Sequence, residues 1–270
     1  MRKGKSMKRK LGIVCNCIEG EDPAVTLQRI KKIGFDSFFS DNTDLETVRR
    51  LKESADGLGL EYEFIHAPFF GINSMWVEGE SYRQIFDGMT EAIDSAAACG
   101  VPMVITHTSS GWTPPPISDL GLSRFDRIVA YAKEKGVVLA FENLRMIGNT
   151  AYFTERYEHE DCVRFCYDCG HEHCYTKTVC WPDIFCHRMV CTHIHDNFGR
   201  GWVKDVDGDL HLLPFDGTVD YEKMMRKLDE YEYAGSLMLE VYNGRPEYAK
   251  LSADEFLETC YERIRKISEM

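Results

Sequence analysis

The chain has 270 residues, 44% of them hydrophobic and 28% charged, which is ordinary globular composition and enough for one large domain or two small ones. The net charge is -12; the first ten residues hold six of the 32 Lys and Arg and no acid, so the other 260 carry 26 basic against 44 acidic side chains, a net -18. That field repels polyanions and disfavours a nucleic-acid partner, and the lack of any run of about eighteen apolar residues argues against a membrane span.

The opening MRKGKSMKRK (1–10) is basic with no apolar segment behind it, so it reads as a solvated, disordered tail and not as a secretory signal, with Met7 as an alternative start. From residue 11 onward, short apolar runs alternate with helix-period segments. The strand candidates are 11–15, 35–40, 62–68, 102–108, 137–144, 162–168, 190–196 and 236–241. A helix from Asp22 to Ile33 follows the first, with Pro23 just inside its start and Gly34 just past its end. The next carries Leu45, Val48, Leu51, Ala55 and Leu58; further helical faces are Ile85–Ala96, Phe125–Ala132 and Tyr221–Leu228. A short helical piece is expected at 181–187, and Ser252 caps a final helix bearing Phe256, Cys260, Ile264 and Ile267. The segment after 144 is less regular.

Near-continuous apolar strands are buried on both faces, as in a parallel sheet. Eight β/α units in this length predict a single α/β domain over 11–270, a closed (β/α)8 TIM barrel. The alternative is an open doubly wound sheet, but the first strand leads into Cys15-Asn-Cys-Ile-Glu-Gly instead of a glycine-rich phosphate loop. The eleven cysteines are odd in number and scattered, several of them (Cys15, Cys166, Cys191) inside apolar runs. That usage predicts buried thiols in a reduced, cytoplasmic protein. Cys166 and Cys169 have the spacing of one metal knuckle without a second, so a strand end followed by a turn is the expected structure there.

In a barrel the active site sits at the C-terminal ends of the strands. There the chain places His66, His107, Glu142, Asp168, His193 with His195, and Glu240, one parity on each of the last six strands. Two Glu, an Asp and imidazoles suit a divalent ion such as Mn2+, Mg2+, Co2+ or Zn2+, with positions left for substrate oxygens. Beside a polarised carbonyl, a carboxylate can remove a proton from carbon. The alternative, buried carboxylates balanced by salt bridges, lacks cations, since the one strand Arg, Arg164, falls toward the opposite end.

The ordered motifs FIHAPF (64–69), VITHTS (104–109), AFENL (140–144), CYDCGH (166–171), HIHDN (193–197) and LMLEV (237–241) resemble the xylose-isomerase-like barrel superfamily over essentially all of 11–270. That superfamily includes sugar isomerases and epimerases and the apurinic-site endonucleases. The resemblance implies one divalent ion on Glu142, Asp168, His193 and Glu240, with Glu142 and Glu240 as the acid/base pair. It also implies substrate contacts from His171 and Arg200. His195 is a further candidate for substrate contact, and Trp76, Trp112 and Trp202, each in a loop after a strand, are candidates to wall a sugar-sized pocket, with plain packing as the alternative. His66, His107, His171, Asp209 and His211 fill positions that the endonuclease branch uses for further zinc ions; second-shell hydrogen bonding, substrate contact or loop capping are the competing roles. His195 reads as a second-shell residue, and Asp196 and Asn197 as turn formers. The expected activity is isomerisation or epimerisation of a sugar or sugar phosphate through an enediolate. The alternatives are a multi-zinc phosphodiesterase, a sugar or inosose-type dehydratase, and a non-catalytic sugar binder. The expected partner is the small-molecule sugar, without nucleic acid or membrane, with homo-oligomer formation left open.

Overall fold

The computed structural model describes residues 8–200 and 208–270. Its strands are β1 (Leu11–Val14), β2 (Ser37–Ser40), β3 (Glu61–His66), β4 (Met103–Thr106), β5 (Val138–Glu142), β6 (Val163–Asp168), β7 (Met189–His193) and β8 (Leu237–Leu239). Each overlaps one of the eight predicted runs. The helices are α1 (Pro23–Ile33), α2 (Leu45–Leu58), α3 (Tyr82–Cys99), α4 (Asp119–Lys135), α5 (Ile147–Arg156), α6 (Cys169–Tyr175), α7 (Trp181–Phe185), α8 (Tyr221–Glu230) and α9 (Ala253–Ser268). The strands form one parallel sheet in the order β7-β6-β5-β4-β3-β2-β1-β8. A bridge between Ile194 and Leu239 joins its two ends, giving the (β/α)8 barrel. By packing, the chain divides into two compact units, Met1–Phe38 with Tyr167–Met270, and Phe39–Cys166, with both cuts falling inside strands.

In the unit Phe39–Cys166 the register runs evenly from β3 to β6, with His66 opposite Ile105, Ile105 opposite Ala140, and Glu142 opposite Cys166. Facing is set by packing. Phe141 packs edge-on against Phe125 of α4 and Phe153 of α5, so it points to the helices. Successive strand side chains alternate, and Glu142 therefore points to the other face. On β3, Phe64 stacks on Phe39 of β2 at 4.7 Å and Tyr62 bonds Ser40, which puts His66 on their face. Trp76 is buried on Phe125, its indole N–H donating to Thr108 O at 2.8 Å, so it serves packing and not a pocket wall.

In the other unit, Arg9 is buried and bonds Tyr233 O and Asp229, and Lys10 O accepts from Leu237 N, so these two residues of the basic segment are tied to the fold. The two ends of the sheet meet at Ile194. Ile194 N donates to Met238 O (2.8 Å) and Glu240 N to Ile194 O (3.1 Å), while the Thr192 hydroxyl donates to Ser236 O and accepts from Met238 N. Ser252 and Glu255 form the capping box that starts α9. Helix α5 lies in the segment read as irregular; its N-cap, Met146, makes no side-chain capping bond, so the usual start signal is missing. Among the described residues, no helix is long and apolar enough to cross a membrane.

Gly12 of β1 pairs with Met238 of β8, and a Cβ there would stand 2.5 Å from Met238 Sδ and 2.6 Å from Ser37 Oγ. Gly12→Ala is therefore expected to destabilise the protein by about 1–3 kcal/mol through overpacking, read as a lower urea midpoint at unchanged slope.

Candidate active site

Three strand ends of the unit Phe39–Cys166 contribute one cluster. His66 ends β3, Glu142 ends β5, and His107 stands one residue past β4; all three are buried. Glu142 Oε2 lies 3.0 Å from His107 Nε2 and 3.4 Å from His66 Nε2. His66 Nδ1 is 2.8 Å from Ala67 O, which only accepts, so Nδ1 carries the proton and Nε2 faces the carboxylate. Phe69 stacks on His107 at 4.4 Å and holds its ring against Glu142.

The second unit contributes Asp168 from the end of β6, His193 from the end of β7 and Glu240 one residue past β8. These three are buried, and each offers a donor atom within 4.8 Å of the others; His193 Nδ1 is 3.3 Å from Glu240 Oε2. Asp168 has two tasks, because its Oδ1 also accepts from His171 N at 2.6 Å and so caps α6. The predicted turn after β6 is therefore a helix, started by the site carboxylate itself. A chain that passes from strand to helix with no intervening turn residue gives the sequence reader nothing to find.

A further group surrounds Asp209. His171 Nε2 is 3.1 Å from its Oδ2, and His211 Nε2 and His195 Nε2 are 3.4 and 3.6 Å from its Oδ1. His195, read from sequence as second-shell, is fully buried in this group, stacked on His211 with ring centroids 3.9 Å apart. Gly170 makes room for it, since a Cβ at that position would stand 2.0 Å from His195 Cε1. The CGH run thus carried a signal for His195 that only the fold makes legible.

Asp196 and Asn197 bind backbone, as their turn-forming character suggests. Asp196 accepts from Asn197 N, Phe215 N and Val219 N at 2.8–3.0 Å, and Asn197 Nδ2 donates to Gly170 O. Trp112 is partly exposed with the Arg145 guanidinium 5.7 Å from its ring, and Arg200 is exposed. Trp202 lies outside the described residues. Cys166 and Cys169 are buried free thiols, as all eleven cysteines are free. Burial pushes the Cys169 thiol well up, which suits packing and not ligation.

Burial would raise the Asp209 carboxyl and lower the His211 imidazole, but the pair outweighs burial. Asp209 is held well below the usual carboxylate range by His211 and His171, and His211 is pushed up to about 10 by Asp209 and Glu240. Carboxylates and imidazoles that share buried space in this way need positive charge between them, as protons or as a cation. Hard oxygens with imidazole nitrogens are the donor set of a divalent ion, so the side chains fit one.

The model of the family described as xylose isomerase-like TIM barrel matches residues 27–260. The uncharacterized protein y4fM of Sinorhizobium fredii is 32% identical over 162 residues, 55% of this chain; the match spans half of that protein's length. Among solved structures, the IolI protein with a bound zinc atom superimposes with a TM-score of 0.75 at 19% identity, covering 96% of this chain and 98% of that one. D-Psicose 3-epimerase with D-tagatose from Clostridium cellulolyticum H10 gives 0.73 at 13% identity, covering 97% and 100%.

Two outcomes are expected. Gly170→Ala, a change that favours a helix by about 1 kcal/mol in the open, instead destabilises by about 1–3 kcal/mol through its clash with His195, measured by chemical denaturation. In chelator-treated protein, the His211 contribution is complete below its ordinary 6.5 and is lost as pH rises through about 10. The Asp209 contribution is complete above its ordinary 3.8 and is lost as pH falls. Thermal melts across pH 3–10 should place these two groups' joint maximum between those ordinary values.

Proposed function

The chain belongs to the xylose isomerase-like TIM barrel family, and from that membership we propose that it is a divalent-metal-dependent isomerase or epimerase acting on a small sugar or sugar phosphate. The observation that carries this reading is the buried group Asp168, His193 and Glu240, with donor atoms within 4.8 Å at three strand ends. Glu142, at the corresponding end of β5, is proposed as the fourth ligand on the ground of its motif. Support for the substrate class comes from the structural relatives, which include a sugar epimerase crystallised with D-tagatose. The free cysteines suit a reducing, cytoplasmic location.

A divalent ion bound by this set supplies Lewis-acid polarisation of the substrate's carbonyl and adjacent hydroxyl oxygens. The chain's own residues move the protons. One of Glu142 and Glu240 takes the proton from the hydroxyl-bearing carbon next to the carbonyl. His107, bonded to Glu142, fixes that carboxylate's orientation. His171, at the start of α6, is proposed to hydrogen-bond the oxygen on which charge develops, which would lower the barrier to an enediolate. Return of the proton to the neighbouring carbon isomerises the sugar; delivery from the second Glu to the opposite face epimerises it.

The cluster around Asp209 keeps a second reading in view, a multi-zinc phosphodiesterase. The test is incorporation of solvent deuterium into a panel of ketoses by the metal-loaded protein. Wild type should label the sugar carbon, and Glu142→Gln and Glu240→Gln should each slow labelling by about 10²–10⁴-fold with unchanged circular dichroism. Full labelling in either variant would overturn the acid/base pair; hydrolysis of a phosphodiester without labelling would favour the second reading.

A further inference from the structure

Phe70 is 88% exposed, more than any other large apolar side chain among the described residues. Isolated apolar side chains at a surface are ordinary, but this ring is the outer rung of a ladder. It stacks on Phe69 with centroids 5.0 Å and planes 19° apart, and Phe69 stacks on His107 at 4.4 Å and 26°. His107 in turn bonds Glu142. Three near-parallel rings thus lead from the proposed acid/base carboxylate outward, and the last turns its surface to solvent.

The loop that carries this ring is fastened on both sides. Gly71, at φ 85°, takes the left-handed turn that a glycine allows and leads into the short helical turn Ile72–Trp76. Arg124 of α4 donates to the carbonyls of Ser74, Met75 and Val77 at 2.8–3.0 Å. Asn73 and Ser110 bond each other in both directions at 2.9 Å, which ties the loop after β3 to the loop after β4. The aromatic surface is therefore fixed before anything binds to it, and a ligand that rests there loses little to ordering the protein.

We propose that Phe70 is a platform for a second, uncharged ring carried by the substrate, so that the substrate class is a ring-substituted ketose, such as an O-glycosyl ketose, and not a sugar phosphate. This deepens the isomerase reading and rests on it. The substituent is borne on a carbon away from the reacting carbonyl and its neighbouring hydroxyl, both of which must stay free. Charge decides between the neutral ring and the phosphate. The segments after β3, β4 and β5 (67–81, 107–118 and 143–146) hold one Lys or Arg, Arg145, against Glu78 and Glu80. The Arg145 guanidinium already lies 5.7 Å from the Trp112 ring. A phosphate calls for charge-assisted donors, whereas the C–H face of a pyranose needs an apolar aromatic surface to cover.

The test compares three probes that share one ketose: D-fructose, D-fructose 6-phosphate and 6-O-glucosyl-D-fructose. Each is titrated calorimetrically into the full chain equilibrated with Mn2+. Wild type should bind the glucosyl ketose about tenfold more tightly than fructose, and the phosphate no more tightly than fructose. Phe70→Ala should erase the preference for the glucosyl ketose, and Phe70→Tyr should keep it. Equal affinity of wild type for the glucosyl ketose and fructose would overturn the proposal, as would no binding of the glucosyl ketose at millimolar concentration. Tighter binding of the phosphate than of the glucosyl ketose, or a preference that survives Phe70→Ala, would overturn it too. Binding is read here without turnover. Failure of deuterium labelling falls on the isomerase reading, and loss of the ring preference beside intact labelling falls on this proposal alone.

Discussion

Asp196 is the constraint on which the site of the unit Met1–Phe38 and Tyr167–Met270 depends. Its carboxylate is fully buried and accepts from three backbone N–H groups, of Asn197, Phe215 and Val219, while its own backbone bridges Leu212 in both directions. A buried carboxylate is tolerated only when its charge is met by donors, and charge-assisted bonds to amides are among the stronger ones. Here the donors come from both sides of the excursion that follows β7, so one side chain fixes where the chain leaves the barrel and where it returns. Gly217 has no side chain because Asp196 Oδ1 would stand 2.3 Å from its Cβ. His193 and His195 precede this clamp by three residues and one, and Asp209 and His211 are brought back to it three residues and one before Leu212 and its bridge at the returning end.

The electrostatics follow from that geometry. Delivering Asp209 and His211 beside His171, His195 and Glu240 assembles more acid and imidazole than packing can use. The fold accepts a high imidazole basicity and a strongly acidic carboxyl in exchange for fixed donor positions. Under the proposed ligation, stability and binding would pull on the same groups, the usual condition of a site that is built before its ligand arrives.

Much of this was legible in the chain. Eight apolar runs of strand length foretold the sheet, and Gly34 marked the end of α1 as the structure has it; α2, α3 and α4 end at glycines too. The parity of His66 and Glu142 could be read because β3 and β5 alternate inward residues with Phe and Ile that face helices. What escaped was non-local. Helix α5 lacks a capping side chain, and α6 begins on the last residue of β6, so neither announces itself. His195 looked peripheral because the glycine that admits its ring lies 25 residues earlier in sequence. Trp76 has the loop position of a pocket wall, but its indole N–H is spent on Thr108 O, a contact that no local pattern announces.

Asp168 shows how tightly such a barrel couples its parts. One carboxylate oxygen caps the helix that carries His171, and the other lies 3.2 Å from His195 Nε2. Asparagine would keep the cap and lose the charge; glutamate would keep the charge and, one methylene longer, move the cap. Asparagine therefore separates the two duties of this one side chain, holding the helix start in place while the charge beside His195 is removed.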